Sequence, residues 1–234
     1  MHGYHLPLSS DVFNATEVPY RAAESGRLNA VVAPAIPYCY SGGELPGTVN
    51  VSPHAVALFL MDICMEFIRN GFTNIAVYLG HGGEENNKPI YEMLKIILRK
   101  NQHRDDIVLS VIKSWELSPT WIDIFNRGPE RDMHAGEVET SLMMYWRPDL
   151  VREPIEMDEP ETAEWMRIHP EEFFSEEKVF DHEFIVPKTW MDKRIKVGIA
   201  GFPEKASREL GEKISKEMED GLVRYIDLLN NNVR

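Results

Sequence analysis

Apolar runs of strand length alternate along this chain with apolar residues at helical spacing, and that alternation limits the possible folds more than any other feature. Asn74-Ile75-Ala76-Val77-Tyr78-Leu79 and Ile107-Val108-Leu109-Ser110-Val111-Ile112 are short, nearly continuous apolar segments, the pattern of strands covered on both faces. Asn29 to Ala35 and Ile195 to Ile199 read as two more strands. Between them, Val56, Leu58, Phe59, Ile63 and Phe67 predict a helix over 53–70, opened by Ser52 and Pro53 and stopped by Gly71. Further helices are predicted from about Pro89 to Lys100, from Gly136 to Trp146, and from Ser207 to Leu229. The alternation predicts an α/β chain with a mostly parallel sheet and helices on both sides. From Val151 to Asp181 the sequence becomes acidic and Pro-rich. That stretch reads as an irregular excursion from a single domain over 1–234.

In sheets of this kind, sites form where loops leave the carboxyl ends of the strands. The strand ending at Leu79 runs straight into Gly80-His81-Gly82-Gly83-Glu84-Glu85. Paired glycines let the backbone approach a ligand closely, which makes Gly82 and Gly83 candidate substrate contacts and His81 a candidate ligand. A second cluster, Met133-His134-Ala135-Gly136-Glu137-Val138-Glu139-Thr140-Ser141, leads into a helix. Carboxylates in a first helical turn compensate the dipole, which accounts for Glu137 better than it accounts for His134. The third cluster is the start of the chain, with His2, His5 and Asp11 on a Gly- and Pro-broken stretch. Imidazole and carboxylate without thiolate suit zinc, manganese or iron(II). The other histidines, His54, His103, His169 and His182, are expected to be structural or at the surface.

The formal charge of −13 argues against nucleic-acid binding, which needs a basic face. No segment reaches the roughly 20 apolar residues of a membrane span, and no basic stretch followed by an apolar run follows Met1. Cys39 and Cys64 sit among apolar neighbours, as buried free thiols in a reducing compartment do. A cytoplasmic location is the resulting expectation.

At its three clusters the chain resembles the creatininase family of metal-dependent amidohydrolases. His2-Gly3-Tyr4-His5-Leu6-Pro7-Leu8-Ser9-Ser10-Asp11 is similar to the family's opening motif, Glu-x-His-Gly-x-His-Leu-Pro-Leu-x-x-Asp. Pro46-Gly47-Thr48 and Gly80-His81-Gly82-Gly83 resemble two of its loops. His134 to Ser141 matches His-Ala-Gly-x-x-Glu-Thr-Ser, and Gly198 to Pro203 its Gly-x-x-Gly-x-Pro region. The resemblance implies a three-layer α/β/α sandwich with two divalent ions per chain. By position His2 binds one ion, Asp11 bridges both and His81 binds the other. The last ligand is Glu139, with Glu84 and Glu85 as competitors, and His134 is the catalytic histidine. Family members are commonly homo-oligomers, ring-like or hexameric, and Met143-Met144-Tyr145-Trp146 is a candidate contact surface.

Two departures stand out. Leu79 replaces an Asn of the family pattern. The family's first Glu ligand, two residues ahead of the position of His2, would fall before Met1, together with the strand that carries it. A natural start upstream of Met1 is therefore expected. The implied activity is hydrolysis of a small-molecule substrate: a cyclic amide, a formamide, a peptide or a cyclic diketone. His134 would move the proton, with Glu137 or Asp132 orienting it, and Tyr38, Tyr40 and Trp115 are candidates to line the pocket. The rival from another class is a metal-poor small-molecule-binding protein or an inactive member, because the first Glu is absent. A nucleotide-binding reading fails, since Gly80 to Gly83 lacks both the Lys-Ser/Thr of a phosphate loop and the Gly-x-Gly-x-x-Gly spacing.

Overall fold

The computed structural model describes residues 1–169 and 173–232. Its parallel pairing joins β1 (Asn74–Leu79) to β2 (Val108–Lys113), in register from Asn74 opposite Val108 to Leu79 opposite Lys113. Because side chains alternate across a strand, Ile75, Val77 and Leu79 share a face with Leu109 and Val111. That face packs on α2 (Pro53–Arg69) and α3 (Glu84–Lys100) through Ala57, Cys64, Ile68, Ile90, Met93, Leu94 and Ile97. The opposite face meets α7 (Arg208–Asn232), where Asn74 donates to Asn230, and α1 (Ser10–Glu24), whose Asn14 reaches the end of β1. The chain is α/β with a parallel sheet and helices on both faces.

The ends of α2 follow from local chemistry. Pro53 starts the helix, though Ser52 makes no side-chain capping bond, and the turn closes through Val56 N–H to the Ser52 carbonyl. At the other end Gly71 takes φ 94°, its N–H bonds Ile68 O, and Phe72 N–H bonds Phe67 O. This is the Schellman closure that glycine permits. Helix α3 begins five residues before the expected Pro89. Glu84 and Glu85 fill its first turn, where carboxylates favour the dipole, and Pro89 forfeits a single helical bond.

Two expected strands do not form. Residues 30–37 make no backbone hydrogen bond among the described residues, and Val31 is 79% exposed. Pro34 and Pro37 supply no N–H there. The run at 195–199 is also not a strand: Gly198 breaks it at φ 78°, and the N–H groups of Lys196, Val197 and Gly198 go to the Asp158 carboxylate. Only Ala200, one residue further on, bridges to His134. The acidic segment is more regular than expected, since it holds α6 (Pro160–Ile168) and β3 (Phe174–Glu177), which pairs antiparallel with β4 (Lys188–Met191). Residues 170–172 of that segment lie outside the described residues.

The chain divides into two sets of residues. One comprises Met1–Ser10, Gly42–Thr48 and Trp121–Lys213, with α5 (Glu137–Trp146), α6 and the β3–β4 hairpin. A small core of Met166, Ile195 and Ala200 anchors its later part. The other comprises Asp11–Ser41, Val49–Thr120 and Ile214–Arg234, and carries the parallel sheet. Met143 and Trp146 are buried in α5, so the expected contact surface at 143–146 is largely core.

Candidate functional site

In the first set, the site is built where the chain turns into α5. Asp132, buried, accepts N–H groups from Glu137 at 2.7 Å, Val138 at 2.9 Å and Phe202 at 3.2 Å. Burial pushes its carboxyl up to about 6, against the pull of those N–H groups. A Cβ on Gly136 or Gly201 would fall 1.8 Å or 1.9 Å from its Oδ1, so only glycine fits at either position. Between Asp132 and the helix, Ala135 adopts a left-handed φ of 55°. A non-glycine residue holds that conformation only where its surroundings impose it, and such strain gathers at functional sites. Here Ala135 N–H donates to Glu139 Oε2 at 2.6 Å.

The strained turn presents His134. Its main chain pairs with Ala200 in both directions, and its Nδ1 lies 2.7 Å from the Gly198 carbonyl. A carbonyl only accepts, so Nδ1 carries the hydrogen and Nε2 is bare. Burial, and then the positive field of His2, pulls the imidazole down to about 4, with Glu139 opposing. His134 is thus a neutral base with one lone pair available. The His2 ring lies 4.3 Å from it between centroids, and His2 Nε2 is 3.4 Å from Glu139 Oε1. His5 supports the cluster: its Nε2 bonds Thr140 Oγ1 at 2.8 Å, and burial followed by His2 lowers it to about 4. Glu137 does not orient His134, because its carboxylate pairs with Arg127 at 2.8 Å. Asp132 does not touch the ring either, and acts on the backbone around it.

In the second set, Asp11 in the first turn of α1 lies 3.2 Å from His81 Nδ1. The turn after β1 is pressed against that helix, since a Cβ at Gly80 would sit 2.3 Å from Asp11 O. Asn14 ties the two together by donating to Gly80 O at 2.8 Å and to Ser114 Oγ at 3.0 Å. Among the described residues His81 Nε2 is buried without a hydrogen-bond partner, as are His2 Nδ1 and His5 Nδ1. A Cβ at Gly83 would stand 2.6 Å from the His81 nitrogen, so the backbone packs on the ring and a side chain there would push it aside. Both thiols are pushed up to about 11 by burial, and neither offers a thiolate. The donors present are imidazole and carboxylate, and they fit a divalent ion of the zinc or manganese type.

The structure therefore gathers His2, His134 and Glu139 in one set and Asp11 with His81 in the other. Glu84 and Glu85 are exposed on α3 and make no ion pair among the described residues. Tyr38 is 56% exposed, Gly82 is exposed, and Trp115 lies 3.8 Å from where a Gly82 Cβ would be. Sequence reasoning missed Asp158, for which no local pattern gives a signal, and passed over the Gly198 carbonyl, although Gly198 opens a matched segment. It gave no role to Thr140, although the residue lies inside a motif.

The family model described as creatinine amidohydrolase matches residues 1–226. This chain belongs to the creatininase family. Among creatininase relatives, the creatinine amidohydrolase of Pseudomonas putida is 30% identical over 164 residues, covering 64% of this chain and 62% of the relative. The mycofactocin precursor peptide peptidase of Mycolicibacterium smegmatis (strain ATCC 700084 / mc(2)155) is 28% identical over 155 residues, covering 63% of this chain and 54% of the relative. The match thus spans less than two thirds of either curated relative. Solved creatininases cover 97% of this chain. A variant complexed with creatine gives a TM-score of 0.74 at 26% identity over 87% of its own length. A manganese form gives 0.73 at 28% over 86%. A Zn-Zn variant gives 0.70 at 26% over 86%.

Proposed function

We propose that this creatininase-family chain is a metal-dependent hydrolase that cleaves the C–N bond of a small cyclic amide or formamide. The observation that carries the reading is the Asp11 carboxylate 3.2 Å from His81 Nδ1, an imidazole nitrogen and a carboxylate oxygen brought together as ligands of one ion are. The residues that would hold two divalent ions are His2 and Glu139 in the first set and Asp11 and His81 in the second, the positions assigned by the family resemblance. Solved relatives of manganese and zinc type support the choice of metal. Ions bound there would supply a more acidic water and polarise a carbonyl oxygen.

The chain's own residues supply the proton handling. His134 is neutral, and its Nδ1 is occupied by Gly198 O, so Nε2 is the atom that takes a proton from the nucleophile and returns it to the leaving nitrogen. Glu139, fixed by Ala135 N–H, stands beside His2 and would steady the positive charge His134 acquires. Gly82 is exposed next to His81, with Trp115 nearby, and its backbone would meet a substrate there.

A creatine-bound relative supports a small substrate, and a peptidase relative supports a peptide amide as the second reading. A metal-supplemented screen over cyclic amides, formamides, cyclic diketones and short peptides separates them. His81→Ala is expected to abolish turnover and metal uptake; a purified variant with full activity would refute the site. Elemental analysis showing about two ions per chain is expected for a hydrolase of this kind, whereas none after zinc or manganese loading would favour the binding protein.

A further inference from the structure

We infer that Asp158 is a positioning residue that fixes the tautomer and aim of His134 through the 196–198 turn. The inference rests on the reading of His134 as the proton-moving group. Asp158 is buried and stands outside every motif. Its Oδ1 accepts N–H from Lys196 at 2.5 Å and Val197 at 3.0 Å, and its Oδ2 accepts from Gly198 at 2.6 Å. Three consecutive N–H groups converging on one carboxylate force the chain into a tight turn. Gly198 leaves that turn at φ 78°, which aims its carbonyl at His134 Nδ1, 2.7 Å away. Leu45 closes the turn from outside, 2.7 Å from where a Gly198 Cβ would lie.

The consequence for His134 is chemical. While the Gly198 carbonyl stays in place, the ring hydrogen belongs on Nδ1 and Nε2 keeps its lone pair. If the turn relaxes, the hydrogen is free to move to Nε2, and that nitrogen can no longer accept a proton. Asp158 reaches the ring only through this turn and touches none of the residues assigned to the metal.

The test is made on the full chain loaded with diamagnetic zinc. Long-range ¹H–¹⁵N NMR of the histidine rings, with His134 identified by its loss in His134→Gln, is expected to show Nδ1–H and a bare Nε2 in the native protein. Asp158→Asn removes at least one acceptor and brings a donor face to face with the N–H groups. It is expected to mix the tautomers and lower kcat about 10- to 100-fold at nearly constant KM, the scale of a misplaced catalytic group, with metal content unchanged. Asp158→Glu, which keeps the carboxylate, is expected to recover part of kcat and carries the test if the Asn variant does not fold. A native His134 with hydrogen on Nε2, or a folded variant with unaltered ring shifts and kcat, overturns the inference. Full turnover in His134→Gln would instead overturn the proton-moving role, while the ring shifts still decide whether Asp158 sets the tautomer.

Discussion

The loop around His134 and the turn around His81 solve opposite problems. At His134 the main chain is paired on both sides, Nδ1 is bonded, and the strained Ala135 is held by Glu139. At His81 a carboxylate stands 3.2 Å from Nδ1, Gly83 packs on the ring, and Nε2 has no hydrogen-bond partner among the described residues. The first arrangement holds a base in one protonation state and one orientation. The second is incomplete by itself and is finished by something bound. The two histidines thus differ in what holds them: His134 is fixed by backbone groups, and His81 faces a carboxylate.

The largest effect expected from this contrast is on turnover without any effect on metal. His134→Gln should lower kcat by more than about 100-fold, the scale of a lost general base, while the metal content stays at the native value. Loss of the metal in that variant would break the contrast. Gly83→Ala addresses the other side. Gly83 has φ −60°, which alanine adopts freely, so the only new feature is a methyl group 2.6 Å from His81 Nε2. Metal affinity is expected to fall about 10-fold with little change in Tm, as measured by competition with a chelator. Unchanged affinity would show that the metal does not depend on the position of the His81 ring.

The smallest effect is on stability against pH in the chelator-treated protein. His5 and His134 are both lowered from 6.5 to about 4, so between those values the unfolded chain binds two protons that the folded chain does not. Stability from this source is complete above 6.5 and is lost as pH falls towards 4. Asp132, raised from 3.8 to about 6, acts with the opposite sign: its contribution is present below 3.8 and lost as pH rises through 6. Two protons outweigh one, and urea midpoints should rise with pH from about 4 to 6.5. A fall over that range would mean that the histidines are not buried neutral.

Much of this was legible in the residues because it is local. The apolar runs at 74–79 and 107–112 contain their own evidence for a strand, and Gly71 contains its own evidence for a helix end. His81, His134 and Glu139 sit in short motifs whose spacing carries their meaning. The run at 195–199 looks equally strand-like, but its N–H groups are taken by a carboxylate about 40 positions earlier in the chain, at Asp158. No window of sequence contains that contact. The run at 29–35 failed for the complementary reason, since an apolar segment shows that a strand is permitted without showing what lies beside it. Helix α1 was hidden by Pro19, which breaks the pattern a reader looks for, and its existence rests on contacts such as Asn14 with Gly80.

The clamp on the 196–202 segment also orders events in time. Asp132 reaches Phe202 across 70 positions, Asp158 reaches Gly198 across 40, and Ser207 reaches Ser141 across 66. Contacts that close long loops form late, because their entropic cost comes before any return. Helices α2 and α3, packed on a strand only a few residues from each, need nothing so distant. A refolding or newly made chain should therefore regain the helical signal of α2 and α3 while His134 still lacks its carbonyl partner, and competence should lag behind shape.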